Sequence, residues 1–254
     1  MTPEQFELHA KIEDSHWWFV GRRRIIENIV TTVVSDKTPM KLVDIGCGTG
    51  GNISTFHERF DCIGVDISEH AIDFAVRRFP YINFISVGVG QKIYPIIEKA
   101  DILFLLDVLE HIENDSQFLR EITSNMKQGA LLLITVPSNM SLWSPHDEFH
   151  GHFRRYSKND LLSNFNELPV SIRLFSYYNT ILYPIIKSAR GLTKLTRQTW
   201  GKAHTDLSMP PKFFNTLLTK IFASESKWLI NRLDQPIRTT LPFGVSIISL
   251  LRKN

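Results

Sequence analysis

Two carboxylates and a glycine-rich turn form the strongest chemical signal in the 254-residue sequence. Asp44 ends a short apolar run and is followed by Gly46-Cys47-Gly48-Thr49-Gly50-Gly51; Asp66 ends the next apolar run, Ile63-Gly64-Val65, twenty residues after Gly46. Glycines at such a strand end let the backbone turn sharply and let a ligand approach without meeting a Cβ. The free amides of the turn, with the N-terminus of a following helix, favour a carboxylate or phosphate. A carboxylate at the tip of the neighbouring strand is placed to accept both hydroxyls of a ribose. The pairing therefore points to a nucleoside with a charged appendage.

Gly46, Gly48 and Gly51 also satisfy the G-x-G-x-x-G dinucleotide fingerprint, so an NAD(P)-dependent oxidoreductase is a competing reading. Two details weigh against it. Asp44 occupies a position that is usually apolar in a dinucleotide site, and it could reach the ammonium of an amino-acid moiety. The second is Leu105-Leu106-Asp107-Val108-Leu109-Glu110-His111, which puts two acids and a histidine at another strand tip.

The elements that must position these groups alternate. Lys41–Ile45, Cys62–Asp66, Ile82–Ser86, Ile102–Leu106 and Ala130–Val136 have strand length and aliphatic content. Amphipathic segments near Gly51–Arg59, Glu69–Arg78, Gln91–Lys99 and Asp115–Met126 lie between them. This alternation predicts βαβ units and a doubly wound, mostly parallel sheet. A polar loop over Pro137–Ser157 leads to a short helix at Lys158–Phe165, a sixth strand at Val170–Tyr178 and a last strand at Val245–Leu251. The roughly 65 residues before that last strand read as helical, with breaks at Gly191, Gly201 and Pro210-Pro211, and are too long for a structureless loop. Residues 1–38 read as two helices around a hinge at His16-Trp17-Trp18-Phe19, the second helix beginning near Gly21 with Arg22, Arg23 and Arg24 in its first turns.

Asp44-x-Gly46-x-Gly48-x-Gly50, Gly64-Val65-Asp66, Asp107-Val108-Leu109-Glu110-His111 and Gly129-Ala130 resemble the signature regions of class I S-adenosylmethionine (SAM)-dependent methyltransferases. The likeness covers about Lys41 to Val136. His16-Trp17-Trp18-Phe19 followed by arginines resembles the N-terminal extension of a bacterial subset of that family. The resemblance implies a seven-stranded Rossmann-like sheet whose antiparallel last strand, in Phe243–Leu251, slots beside the fifth. It implies four parts: residues 1–38 as an extension or lid, 39–178 as the SAM-binding α/β domain, 179–242 as a helical insertion capping the acceptor, and 243–254 as the final strand. It further implies that Asp44 with Gly46, Cys47, Gly48 and Gly50 holds the methionine part of SAM. Asp66 would hold the ribose, Ile67 would lie against the adenine, and Leu106 and Asp107 would line the methionine side. Many members carry an acidic or polar residue after the third strand for the adenine amino group. Val87-Gly88-Val89-Gly90 stands there, so no residue is assigned that role.

SAM is itself reactive, so the protein mainly needs to align an acceptor with the methyl carbon; a hydroxyl acceptor would also benefit from a base. The segment Pro145–Tyr156 carries most of the suitable side chains. His152 is the candidate base, with Tyr156 and Arg154 positioning the acceptor. The same loop could simply pack against the N-terminal helices. His146, His150 and His152 could bind a metal, but they lack a firm ligand geometry without a partner element, and no metal is assigned. His111 is read as a local packing group near the cofactor, Trp17 and Trp18 as a lid or packing pair, and Cys47 as a small filler.

Two cysteines provide no disulfide framework. The N-terminus lacks a signal-peptide apolar region. The longest apolar stretch, Tyr177–Ile186, is interrupted by Asn179 and Pro184 and is far short of the ~20 residues of a spanning helix. These features suggest a cytoplasmic protein. Charge is asymmetric: residues 1–164 hold 16 Lys/Arg against 22 Asp/Glu, and residues 165–254 hold 13 against 4. Tyr177–Ile186, followed by Lys187, Arg190, Lys194 and Arg197, suits an interfacial helix or a pocket for an amphiphilic anionic acceptor; a helix packed on the sheet edge is the alternative. No nucleic-acid-binding motif accompanies the charge. The expectation is methyl transfer to an oxygen of a small or lipid- or glycan-linked metabolite, with peripheral contact to an anionic membrane. A non-catalytic SAM-binding protein is a second rival. Oligomeric state is not set by the sequence.

Overall fold

A computed structural model of the chain describes residues 3–34, 40–88, 93–196, 208–237 and 241–254. The expectations resting on Val89, Gly90, Gln91, Lys92, Arg197, Gly201, the side chain of Lys194 and the boundary at residue 38 lie outside what it describes.

Seven strands form one sheet: β1 (Met40–Ile45), β2 (Phe60–Asp66), β3 (Asn83–Ser86), β4 (Ile102–Leu106), β5 (Leu131–Pro137), β6 (Val170–Tyr178) and β7 (Ser246–Lys253). Their order is β3-β2-β1-β4-β5-β7-β6, with β7 antiparallel to both neighbours. This is the Rossmann-like methyltransferase topology. The central strands are apolar on both faces because helices cover both. Val43, Leu103, Leu105, Leu132 and Ile134 face one core with Leu119, Ile122 and Leu161. Leu42, Ile102, Phe104 and Leu133 face the other with Ile25, Ile26, Ile29 and Phe222.

Helices α1 (Pro3–Ile12) and α2 (Trp17–Val33) open the chain. Next come α3 (Glu69–Arg78), α4 (Tyr94–Ile97), α5 (Asp115–Asn125), α6 (Pro145–His150) and α7 (Lys158–Phe165). Helices α8 (Tyr183–Thr196), α9 (Lys212–Ser224) and α10 (Ser226–Ile230) precede β7.

Several local expectations differ from the structure. The second helix starts at Trp17 rather than near Gly21, because the His16 side chain caps it by accepting from Trp18 N. Gly21 lies inside that helix, where a Cβ would meet the Phe222 ring at 2.6 Å, so it permits helix–helix approach. The helix expected over Gly51–Arg59 is only a 3-10 turn at Ile53–Phe56, so no helix dipole backs the glycine turn. Gly191 lies within α8 and does not break it, and Pro184 sits in its first turn, where a missing N–H costs nothing.

The N-terminal helices and the helices before β7 meet on one face. Trp17 N donates to Asn215 Oδ1 at 2.8 Å, Asn215 Nδ2 donates to Ser15 O at 2.7 Å, and Tyr178 stacks on Phe222 with ring centroids 5.8 Å apart. The N-terminal helices and the segment before β7 thus converge over the carboxyl ends of β1, β4 and β5.

Candidate functional site

Gly46, at φ +76°, carries the chain out of β1 in a left-handed conformation that disfavours any side chain, and an added Cβ would also meet Val108 at 2.6 Å. The turn is tied to the tip of β2. Gly48 N donates to Asp66 Oδ2 at 2.8 Å, and Ser68 N donates to Asp66 Oδ1 at 2.9 Å. Each Asp66 oxygen keeps lone-pair capacity for a further donor. Ile67, largely exposed at 72%, stands at the outer edge beyond Asp66.

The turn that follows α1 closes over the glycine turn through Glu13. Thr49 Oγ1 donates to Glu13 Oε1 at 2.7 Å, and Arg78 Nη1 pairs with the same oxygen. Gly51 is what allows this: a Cβ there would lie 2.4 Å from Glu13 Cδ. The third glycine of the dinucleotide-like pattern thus admits a protein carboxylate.

Asp44 is buried, and neither carboxylate oxygen has a hydrogen-bond partner among the described residues. Burial, partly offset by Arg22 and reinforced by Asp66, pushes its pKa up to about 8. A buried carboxylate with no donor is a costly arrangement that a cationic ligand group would relieve. Asp107, at φ +59° just past β4, ion-pairs with Arg22 of α2 and accepts from Thr135 Oγ1 at 3.1 Å. Arg22 also lies over the Trp18 ring at 4.5 Å. Burial, with Asp44 nearby, pushes the Cys47 thiol up, away from nucleophilic character.

A cavity of about 550 Å³ adjoins this cradle. Gly46, Cys47, Gly48, Leu106 and Asp107 line it from the ends of β1 and β4, Trp17 and Trp18 from α2, and Ile185, Ile186 and Ala189 from α8. Six histidines also line it: His9, His16, His111, His146, His150 and His152. Burial lowers the pKa of His9 to about 3, of His111 to about 3 and of His150 to about 4, so these rings are neutral near pH 7. His152 Nδ1 lies 2.9 Å from Asp147 Oδ1. Asp147 is further held by Arg155, whose Nε donates at 2.9 Å, and by Ser144 N at 2.9 Å. Burial opposes the Asp147 charge, yet the bonds from His152 and Arg155 hold its carboxyl well below the usual carboxylate range.

The structure does not bring the other two expected acceptor-positioning residues to the cavity. Tyr156 is buried, and its hydroxyl donates to Asp115 Oδ2 at 2.6 Å; burial and that carboxylate push its pKa up. Arg154 Nη1 lies 3.0 Å from Asp115 Oδ1, and its Nη2 donates to Glu113 O at 2.6 Å. The side chains of both are engaged with Asp115. Trp17 and Trp18 are set in the first turn of α2 and line the cavity. Of the assigned cofactor residues, Asp44, Gly50, Asp66 and Ile67 are not among those lining the cavity.

Sequence reasoning missed Glu13, Arg22, Asp147 and Asn179. Asn179 is fully buried at φ +57° after β6, lines the cavity, and has no hydrogen-bond partner for its amide among the described residues. A positive-φ asparagine has no spacing signature, and the others act through contacts distant in sequence. An arginine-rich stretch beside two tryptophans was the one visible signal, for Arg22.

A family model described as a methyltransferase domain matches residues 19–179. Trans-aconitate 2-methyltransferase of Rhodopseudomonas palustris (strain BisB5) is 30% identical over 105 residues, covering 40% of either chain. Phosphoethanolamine N-methyltransferase 1 of Arabidopsis thaliana is 30% identical over 105 residues, 39% of this chain and 21% of that one. The chain thus spans well under half the length of these curated relatives. Among solved structures, geranyl diphosphate C-methyltransferase of Streptomyces coelicolor A3(2) superposes with a TM-score of 0.54 at 14% identity, over 90% of this chain and 74% of that one. The SpnF cyclase gives 0.57 at 16% identity, over 91% and 81%, so the fold alone does not fix the reaction. With its family matched across most of the sheet, the chain belongs to the methyltransferase-domain family.

Proposed function

We propose that this protein binds SAM in the cradle of the glycine turn, Asp44 and Asp66, and transfers its methyl group to an acceptor held in the adjoining cavity. The observation that carries this reading is the buried Asp44 carboxylate, which lacks a hydrogen-bond partner among the described residues, beside a turn already tied to Asp66. The ammonium of an aminoacyl nucleoside supplies the missing donor, and the free lone pairs of Asp66 accept the ribose hydroxyls. SAM supplies an electrophilic methyl on a sulfonium. The protein's part is to hold an acceptor atom in line with it and keep water out. Leu106, Trp18 and Ile186 provide apolar wall, and His152, oriented by Asp147, is the residue through which the protein acts on the acceptor.

Oxygen is the proposed acceptor atom, on a small or lipid- or glycan-linked metabolite. An amphiphilic acceptor is supported by the surface beside the cavity: Ile185 of α8 is 67% exposed, and Phe213, Phe214 and Leu217 of α9 are exposed together with Lys212 and Lys220. That apolar and basic surface suits peripheral contact with an anionic membrane. No helix among the described residues is long and apolar enough to cross a membrane.

The test is incubation with methyl-labelled SAM and fractionated extract, membrane lipids included. Label is expected in an acceptor fraction, and His152→Ala should lower turnover while leaving affinity for S-adenosylhomocysteine intact. In parallel, S-adenosylhomocysteine should raise the melting temperature. Stabilisation by nicotinamide nucleotides instead would establish the oxidoreductase reading, and binding without transfer to any fraction would establish the non-catalytic one.

A further inference from the structure

We propose that Glu110, His111 and His152 bind one divalent transition-metal ion on the wall of the cavity. The potential ligand atoms of the three side chains all lie within 4.8 Å of one another, and all three residues line the cavity. Ligands around a tetrahedral ion with bonds of ~2.0–2.2 Å stand ~3.3 Å apart. Closing the cluster therefore needs only side-chain movement of an ångström or so.

The main chain builds this arrangement. Phe153 N donates to Glu110 O at 2.8 Å, pinning the histidine loop to the 3-10 turn Leu109–His111, and His152 N donates to Asp147 O at 3.0 Å. The 3-10 turn is thus the partner element that the loop histidines lack in sequence.

Each histidine has one ring nitrogen already oriented. His152 Nδ1 is held by the Asp147 carboxylate at 2.9 Å, and His111 bonds to the Gly151 backbone carbonyl. A carbonyl only accepts, so the His111 nitrogen facing it carries the hydrogen and the other holds the lone pair. A carboxylate or carbonyl behind a ligating histidine is the usual outer shell of a metal site, fixing tautomer and ring direction. The His111 and His152 rings stand 4.7 Å apart at 83°, edge to face.

The third ligand is an independent sign. Glu110 is 1% exposed and lines the cavity, and its Oε2 is buried without a hydrogen-bond partner among the described residues. Two imidazoles with one carboxylate suit zinc, iron, cobalt or nickel rather than magnesium or calcium. Three protein ligands leave a coordination position open, as in catalytic sites. On the methyl-transfer reading, on which this last point rests, that position receives the acceptor oxygen. His152 then acts as a ligand rather than as a free base.

The experiment uses the full chain, stripped with a chelator and dialysed, then titrated with Co²⁺ by visible absorption and with Zn²⁺ by calorimetry. One ion per chain is expected. Glu110→Gln and His152→Ala should each weaken binding by at least ~10-fold, and Asp147→Asn by ~10–100-fold without touching the ion. His70→Ala, an exposed histidine on α3, should leave it unchanged. The absence of a stoichiometric ion, or full affinity in both Glu110→Gln and His152→Ala, overturns the proposal. Thermal stabilisation by S-adenosylhomocysteine, measured on metal-free protein and on each variant, reports folding and tests the methyl-donor reading separately.

Discussion

Oδ2 of Asp66 accepts a 2.8 Å hydrogen bond from the amide of Gly48, joining the tip of β2 to the glycine turn after β1. With Ser68 N on the other oxygen, the carboxylate is fixed from both sides before any ligand arrives. Such preorganisation lowers the ordering cost of binding. Asp66→Ala removes both the acceptor and the strut. At ~1.5–3 kcal/mol for a hydrogen bond to a charged group, affinity for S-adenosylhomocysteine should fall by ~10–100-fold or more. Calorimetric titration checks this, and an unchanged dissociation constant removes Asp66 from the ribose site.

Asp44 connects binding to protons. Its pKa is about 8 in the free protein against an ordinary value of 3.8, with burial the main cause. Near pH 7 the free protein carries Asp44 protonated, and an incoming ammonium favours the ionised form. Binding of S-adenosylhomocysteine should therefore release about one proton, seen as a dependence of binding heat on the buffer's ionisation enthalpy. Heats independent of the buffer would contradict the assignment.

The same shift has a stability consequence. Because the folded pKa is raised, the contribution of Asp44 is fully present below about pH 4 and is lost as pH rises through about 8. Asp44→Asn should flatten that dependence. Thermal melts of ligand-free protein should show the variant gaining on the wild type between pH 5 and pH 9, while its affinity for S-adenosylhomocysteine drops. Parallel melting profiles for the two proteins would argue against the shift.

Gly51→Ala places a Cβ 2.4 Å from Glu13 Cδ, so Glu13 must leave Thr49 and Arg78. Overpacking of this kind costs ~1–3 kcal/mol. Chemical denaturation should show that loss, and hydrogen exchange should quicken in α1, whose seat over the turn depends on Glu13. Glu13→Ala makes room for the methyl group, so the double variant should lose less than the sum of the single losses. Strict additivity would mean that the two residues do not meet.

The strands at Ile102–Leu106 and Val170–Tyr178 and the helices at Glu69–Arg78 and Lys158–Phe165 have the bounds that the sequence predicts, the strands from the length of their apolar runs and the helices from their local sequence pattern. The cradle was legible for the same reason: a glycine turn between an apolar run and an acid is local chemistry, written within a few consecutive residues. The cavity wall beyond β5 was legible only in outline. His152 stands in the cavity, whereas Tyr156 and Arg154, four and two residues further on, turn to Asp115, a partner roughly forty residues away.

What the sequence by itself determined was composed of short-range rules: alternating apolar runs, a bend that only glycine allows, carboxylates at strand tips. What the tertiary structure alone decided depends on groups far apart in the chain. It set Glu13 on Gly51, Arg22 on Asp107, Phe222 on Gly21, and Glu110 beside His152. Burial and the loss of solvent around Asp44 and the cavity histidines arise only when the N-terminal helices and the segment before β7 close over the sheet. Charge state and partner therefore follow from packing and not from residue type.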